Sequence, residues 1–135
     1  MALTAKAYEG LFADQQTSVR LSRLAEGAIH PGRVVTQGSA DNKVVQGGTG
    51  TVLGVSLADR TLNPEKDGIY GSGDTVCYVS HPAVIWVKAH VAVTPAAAAA
   101  FDPATGEVNL AGTPIPNAIF DSSASAGELV KLRLQ

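Results

Sequence analysis

The segment nearest to a phosphate cradle is Gly47-Gly48-Thr49-Gly50-Thr51. Such a cradle works because a strand delivers glycine amides to the anion, a following helix adds its dipole, and a lysine usually neutralises the charge. Here a β-rich segment follows and the run holds no lysine, so it reads as a hairpin turn. The three histidines do not form a ligand set. His30 and His81 each precede a proline, which biases them toward extended loop conformations, and His90 falls on the mixed face of a strand. His81 and His90 could meet in space, yet two imidazoles without a spaced carboxylate make no metal site. No serine sits in a Gly-x-Ser-x-Gly elbow, and Ser122-Ser123-Ala124-Ser125 is a small-residue loop. Glu65 with Asp67, or Asp59, have the residue types of a glycosidase acid–base pair. They lie in turn-rich segments where carboxylates are normally solvated, and Trp86, the single tryptophan, is too little aromatic surface for a sugar cleft. The single cysteine, Cys77, excludes an intrachain disulfide and a cysteine-based zinc site. Its neighbours Val76 and Tyr78 place it in a strand, as a buried thiol acting as a small hydrophobe. The chain therefore reads as non-enzymatic, with no catalytic residue, metal, cofactor or small-molecule substrate.

Composition narrows the remaining functions. A chain of 135 residues fits one domain with a real core. Charged residues make up 16% of it, against about 25% in an average soluble domain. Either part of the surface is buried against partners, or the coat is polar and uncharged. The net charge of −2 and the scatter of ten Lys and Arg from Lys6 to Arg133 provide no field for nucleic acid. No segment approaches the ~20 apolar residues of a membrane span, and no leader-like apolar run follows Lys6. Neither nucleic acid nor membrane is an expected partner, and synthesis in a cytoplasm is expected.

The elements are short and β-rich. In residues 1–30 the apolar positions Leu3, Tyr8, Leu11, Phe12, Val19, Leu21, Leu24 and Ile29 follow no period, which predicts an extended arm over 1–27. A short helix over 18–26, ended by Gly27, is the alternative. Beyond Pro31-Gly32 the pattern predicts strands at 33–36 and 43–45 paired as a hairpin, at 51–57 with Gly54 allowing a bulge or close approach, and briefly at 69–70. Further strands are predicted at 75–80, 83–93, 106–110, 118–121 and 129–134. In 83–93, Ile85, Val87, Ala89, Val91 and Val93 share one face, and Val84, Trp86, Lys88 and His90 the other. Residues 96–100, five alanines after Pro95, predict a helical turn. About eight short strands at this spacing imply an all-β domain over 28–135, a small β-barrel or jelly-roll-like sandwich.

Several segments taken together resemble the capsid cement, or decoration, proteins of tailed bacteriophages. They are Ala25-Glu26-Gly27-Ala28-Ile29-His30-Pro31-Gly32-Arg33-Val34-Val35, Leu53-Gly54-Val55-Ser56-Leu57-Ala58, Tyr70-Gly71-Ser72-Gly73-Asp74-Thr75-Val76 and Val84-Ile85-Trp86-Val87. Pro116-Asn117-Ala118-Ile119-Phe120 and Ala126-Gly127-Glu128-Leu129-Val130-Lys131-Leu132 complete the series. The chain departs from the pattern after Val93, where Pro95 and the alanines replace an expected glycine turn. The resemblance implies a β-barrel or jelly-roll-like domain on the outer surface of a virion head, bridging major capsid subunits. A tail or baseplate component is the alternative, and a small β-barrel enzyme or ligand binder the more remote one. Self-association as a dimer or trimer is expected from the low charge and from Val84 and Trp86, which make a strand apolar on both faces. The expected capsid or subunit contacts are Leu3, Tyr8, Leu11 and Phe12 of the arm, with Arg20, Arg23 and Trp86.

Overall fold

A computed structural model describes residues 9, 19–58 and 69–135. Ten strands make up its regular structure: β1 (Val19–Ala25), β2 (Val34–Gln37), β3 (Lys43–Gln46), β4 (Val52–Ser56), β5 (Thr75–Ser80), β6 (Ala83–Lys88), β7 (Ala98–Phe101), β8 (Val108–Asn109), β9 (Thr113–Phe120) and β10 (Leu129–Leu134). The first five close into a barrel in the order β1-β3-β2-β4-β5, and the last five form a second sheet in the order β6-β10-β9-β7-β8. This is the expected all-β architecture, realised as a closed barrel beside a curled half-barrel.

Alternation along the strands builds two cores. Val35, Val44, Val76, Tyr78, Ala25, Ile29 and Tyr70 fill the barrel interior, where the Tyr70 hydroxyl donates to the Leu57 carbonyl at 2.9 Å. The alternate residues Val34, Val55 and Val79 point out of the barrel and join Ile85, Val87, Phe101, Phe120, Val130, Leu132 and Leu134 of the second sheet in a larger core. A bulge in β4 serves this arrangement. Val35 pairs with Gly54 but Thr36 pairs with Val52, so Leu53 is the extra residue. Val52 and Val55 consequently both reach the larger core while Leu53 packs into the barrel.

Gly54 has a strict steric reason. A Cβ there would fall onto the Val79 carbonyl oxygen of the adjoining strand. The glycines at 47–50 answer a different constraint, and here the structure departs from the expected hairpin turn. Strands β3 and β4 flank β2 on opposite sides and both run antiparallel to it, so the link between them must cross β2. The Gly47 amide donates to the Val34 carbonyl (2.7 Å), and the Gln37 amide donates to Thr51 (2.9 Å), so the link runs the length of β2. Thr36 Oγ1 donates to the Gly47 carbonyl at 2.6 Å. A Cβ at Gly48 would stand 2.8 Å from that hydroxyl, and one at Gly50 the same distance from the Gln37 carbonyl oxygen. A side chain would lift the crossover off the strand.

Other expectations are corrected as well. Residues 19–25, read as the end of an arm or as a helix, are a barrel strand, antiparallel to β5 from Val19↔Ser80 to Leu24↔Thr75 and parallel to β3 at Leu24 and Ala25. The alanine run forms strand β7 and not a helical turn, because five residues after a proline cannot sustain a helix alone and Ala99 and Phe101 are needed in the core. The strand expected over 83–93 stops at Lys88, with only bridges at Ala89 and Val93 beyond it. The bridge from Ala89 to Val108 draws the end of β6 toward β8 and curls the sheet.

Replacing Gly54 by alanine is expected to cost about 3 kcal/mol, because the β4–β5 ladder must open to admit the methyl group. Urea denaturation checks this; an unchanged midpoint would contradict it.

Candidate functional site

The groups with chemical potential are dispersed. The His30 ring Nδ1 lies 3.1 Å from Gln46 Oε1, whose oxygen also accepts from the His30 amide at 2.7 Å. His81 Nε2 lies 2.8 Å from the Pro116 carbonyl, and His90 Nδ1 lies 3.4 Å from Glu107. Each imidazole thus meets a different local partner. Among the described residues no group of three or more His, Cys, Asp and Glu could hold a metal ion. Ser122 accepts a bond from the Lys131 amide at 3.1 Å, a turn-fixing role. Asp59, Glu65 and Asp67 lie outside the described residues. Cys77 is exposed, which corrects the expectation of a buried thiol. Val76 and Tyr78 point into the barrel, so Cys77 points out, and it lies beyond the core that buries Val79 on the same face.

The exposed positions are largely Ser, Thr, Asn, Ala and Pro, and among the described residues the exposed large aliphatics are Leu21 and Leu110. Among the described residues an uncharged coat of small polar and small apolar side chains therefore accounts for much of the low charge.

Of the expected contacts, Leu3, Tyr8, Leu11 and Phe12 lie outside the described residues. Glu9 is described, and its carboxylate stands 3.6 Å from Arg33 Nε at the start of β2. The same guanidinium donates to the Thr105 carbonyl at 3.2 Å, so it links Glu9 to the β7–β8 turn. Sequence reading missed this pair, since Arg33 was legible only as the opening residue of a strand.

Arg20 is exposed on β1. Arg23 is turned to the mouth of the barrel, where it donates to Gln37 Oε1 and, at 2.8 Å, to the Asp41 carbonyl. Gln37 in turn donates to the Ala40 carbonyl at 2.7 Å. On the same turn the Glu26 carboxylate accepts from the Ser39 hydroxyl and from the Ser39 amide at 3.2 Å. Polar residues of β1 and its exit thus fix the β2–β3 turn. Trp86 is half-buried on the outer face of the second sheet, opposite Lys131 on β10, whose ammonium lies 5.7 Å from the ring centroid.

Among the described residues the titratable groups are dispersed over a closed barrel with a half-barrel beside it. The family model for the structural cement protein (E217 gp24/Pam3 gp6) matches residues 1–135, so the chain belongs to that family and its role is non-enzymatic capsid decoration. Among solved structures, the head fiber gp8.5 N base of bacteriophage phi29 is similar in fold, with a TM-score of 0.53 at 17% identity over 88% of this chain and 95% of that one. No curated protein matches the chain.

The bond from the Ser39 hydroxyl, then that from its amide, and the nearby Lys43 hold the Glu26 carboxyl below the ordinary glutamate value. A depressed carboxylate contributes stability that is fully present above its unfolded value and is lost as pH falls through the folded one. Glu26→Gln is therefore expected to flatten the acid limb of melting temperature against pH; an identical slope in the variant would contradict the role of this contact.

Proposed function

We propose that this chain binds the outer surface of an assembled phage head, where it bridges neighbouring major capsid subunits and associates with itself as a homodimer or homotrimer. It would be made in the host cytoplasm and become part of the virion. The observation that carries this reading is the full-length family match. The energetic logic is linkage: a partner that binds only the assembled lattice stabilises it by its binding free energy, repeated at every site.

In this reading the N-terminal segment reaches a neighbour. Leu3, Tyr8, Leu11 and Phe12 are too apolar for a solvated tail, and Glu9 between them stands beside Arg33. Arg20 stands exposed on the strand that follows. The structure moves the boundary for a deletion test. Removing residues up to 27 would take a barrel strand with it, whereas deletion of residues 1–18 spares β1.

Heads lacking and carrying the protein, challenged by heat or low salt with rupture as the readout, test the reading. Decorated heads are expected to survive harsher conditions, and equal survival would refute it. Tyr8→Ala and Phe12→Ala are each expected to weaken head binding by about 1–3 kcal/mol, as buried aromatic anchors do. Deletion of residues 1–18 should leave the fold intact and weaken binding further. Unchanged affinity in the deletion would remove the segment from the mechanism.

A further inference from the structure

The outer face of the second sheet carries a concentration of positive charge around an aromatic ring that composition alone does not reveal. Register places Trp86 opposite Lys131, Val84 opposite Arg133, and Lys88 opposite Leu129. Successive residues alternate faces, and the opposite face is occupied by Ile85, Val87, Val130, Leu132 and Leu134 in the core. Trp86, Lys88, Lys131 and Arg133 therefore share the side of β6 and β10 turned from the core. Lys88 is exposed, and Trp86, Lys131 and Arg133 are part-buried. Arg133 pairs with Asp121 at 3.0 Å. Among the described residues no carboxylate pairs with Lys88 or Lys131; the Lys131 ammonium lies over the indole instead.

We infer that this face is a docking surface for an acidic protein surface, with Trp86 as the apolar anchor and Lys88 and Lys131 as the groups that pair with carboxylates. The physical case is charge complementarity around a hot-spot residue type. Tryptophan and arginine are enriched where interface energy concentrates, and cations ringing an anchor select a partner of opposite sign and exclude cationic ones. Nucleic acid fits less well. A chain of net charge −2 with three cations on one short sheet face offers far fewer phosphate contacts than duplex binding normally uses. The inference deepens the cement reading and rests on it for the identity of the partner, an acidic patch on the head surface.

Two measurements test the inference. In the first, undecorated heads are titrated with wild-type protein, K88E/K131E and the charge-conserving K88R/K131R at about 50 and about 300 mM sodium chloride, which changes charge screening strongly. Reversal is expected to weaken binding roughly tenfold or more at low salt and to remove most of the salt dependence, while the arginine variant binds as wild type. Matching melting temperatures would show that the variants fold. Wild-type affinity in folded K88E/K131E would overturn the inference. In the second, Trp86, as the only tryptophan of the chain, reports directly by fluorescence on titration with oligoglutamate and with an oligonucleotide of equal charge. A response to oligoglutamate that is lost in K88E/K131E supports the inference. No response, an equal response in the variant, or a larger response to the oligonucleotide overturns it. If wild-type protein fails to bind heads, the cement reading falls and the fluorescence result alone decides the face. Salt-sensitive self-association lost in K88E/K131E would make the partner a second copy and overturn the assignment to the shell.

Discussion

Strands β2, β4 and β5 are apolar on both faces, and the rest of the structure follows from the need to cover both. Val35, Leu53 and Tyr78 point into the barrel, while Val34, Val55 and Val79 on the same strands point out of it. Burying one such side chain contributes about 1.5–3 kcal/mol, so leaving the outer set in water would forfeit a large part of a small domain's margin of stability. The second sheet supplies the cover, curling so that Phe101, Phe120 and Leu132 meet the barrel wall. That curl places the opposite side of β6 and β10 outward. The glycine crossover is a consequence of the same demand, because a link laid along β2 beside the shared core must be thin.

The parts of the fold legible in sequence were those governed by local period and turn chemistry. Val130, Leu132 and Leu134 alternating with Lys131 and Arg133 gave β10 its bounds, and the β2–β3 hairpin and the close approach at Gly54 were foreseen for sound physical reasons. The failures share a cause in tertiary context. Residues 19–25 carry no clear alternation because one side of β1 meets the polar barrel mouth, where Arg23 binds Gln37 and the Asp41 carbonyl. The alanine run is a strand because Ala99 and Phe101, two residues apart, both face the larger core. Cys77 is exposed because the second sheet covers only part of β5, a limit that period alone cannot show. The glycine run signalled a tight path but not its direction, since a hairpin and a crossover place similar demands on glycine.

The site was less legible than the fold. Most expected arm contacts lie outside the described residues, and the Glu9–Arg33 pair emerged only when the strands brought β2 beside the β7–β8 turn. The cationic face around Trp86 has the same character. Its residues are separated by some forty positions and become neighbours only through the pairing of β6 with β10. A structural protein has no catalytic geometry to constrain spacing along the chain, so its functional surface is written in register and not in motif. Membership of the structural cement family is consistent with that pattern.

The central claim, that this chain holds neighbouring subunits of the head together from outside, is tested most directly by cryo-electron microscopy of heads assembled with and without it. The expected result is density for the barrel and half-barrel on the outer surface, spanning at least two major capsid subunits and absent from particles lacking the chain. Density confined to the tail, or contact with a single subunit only, would contradict the claim.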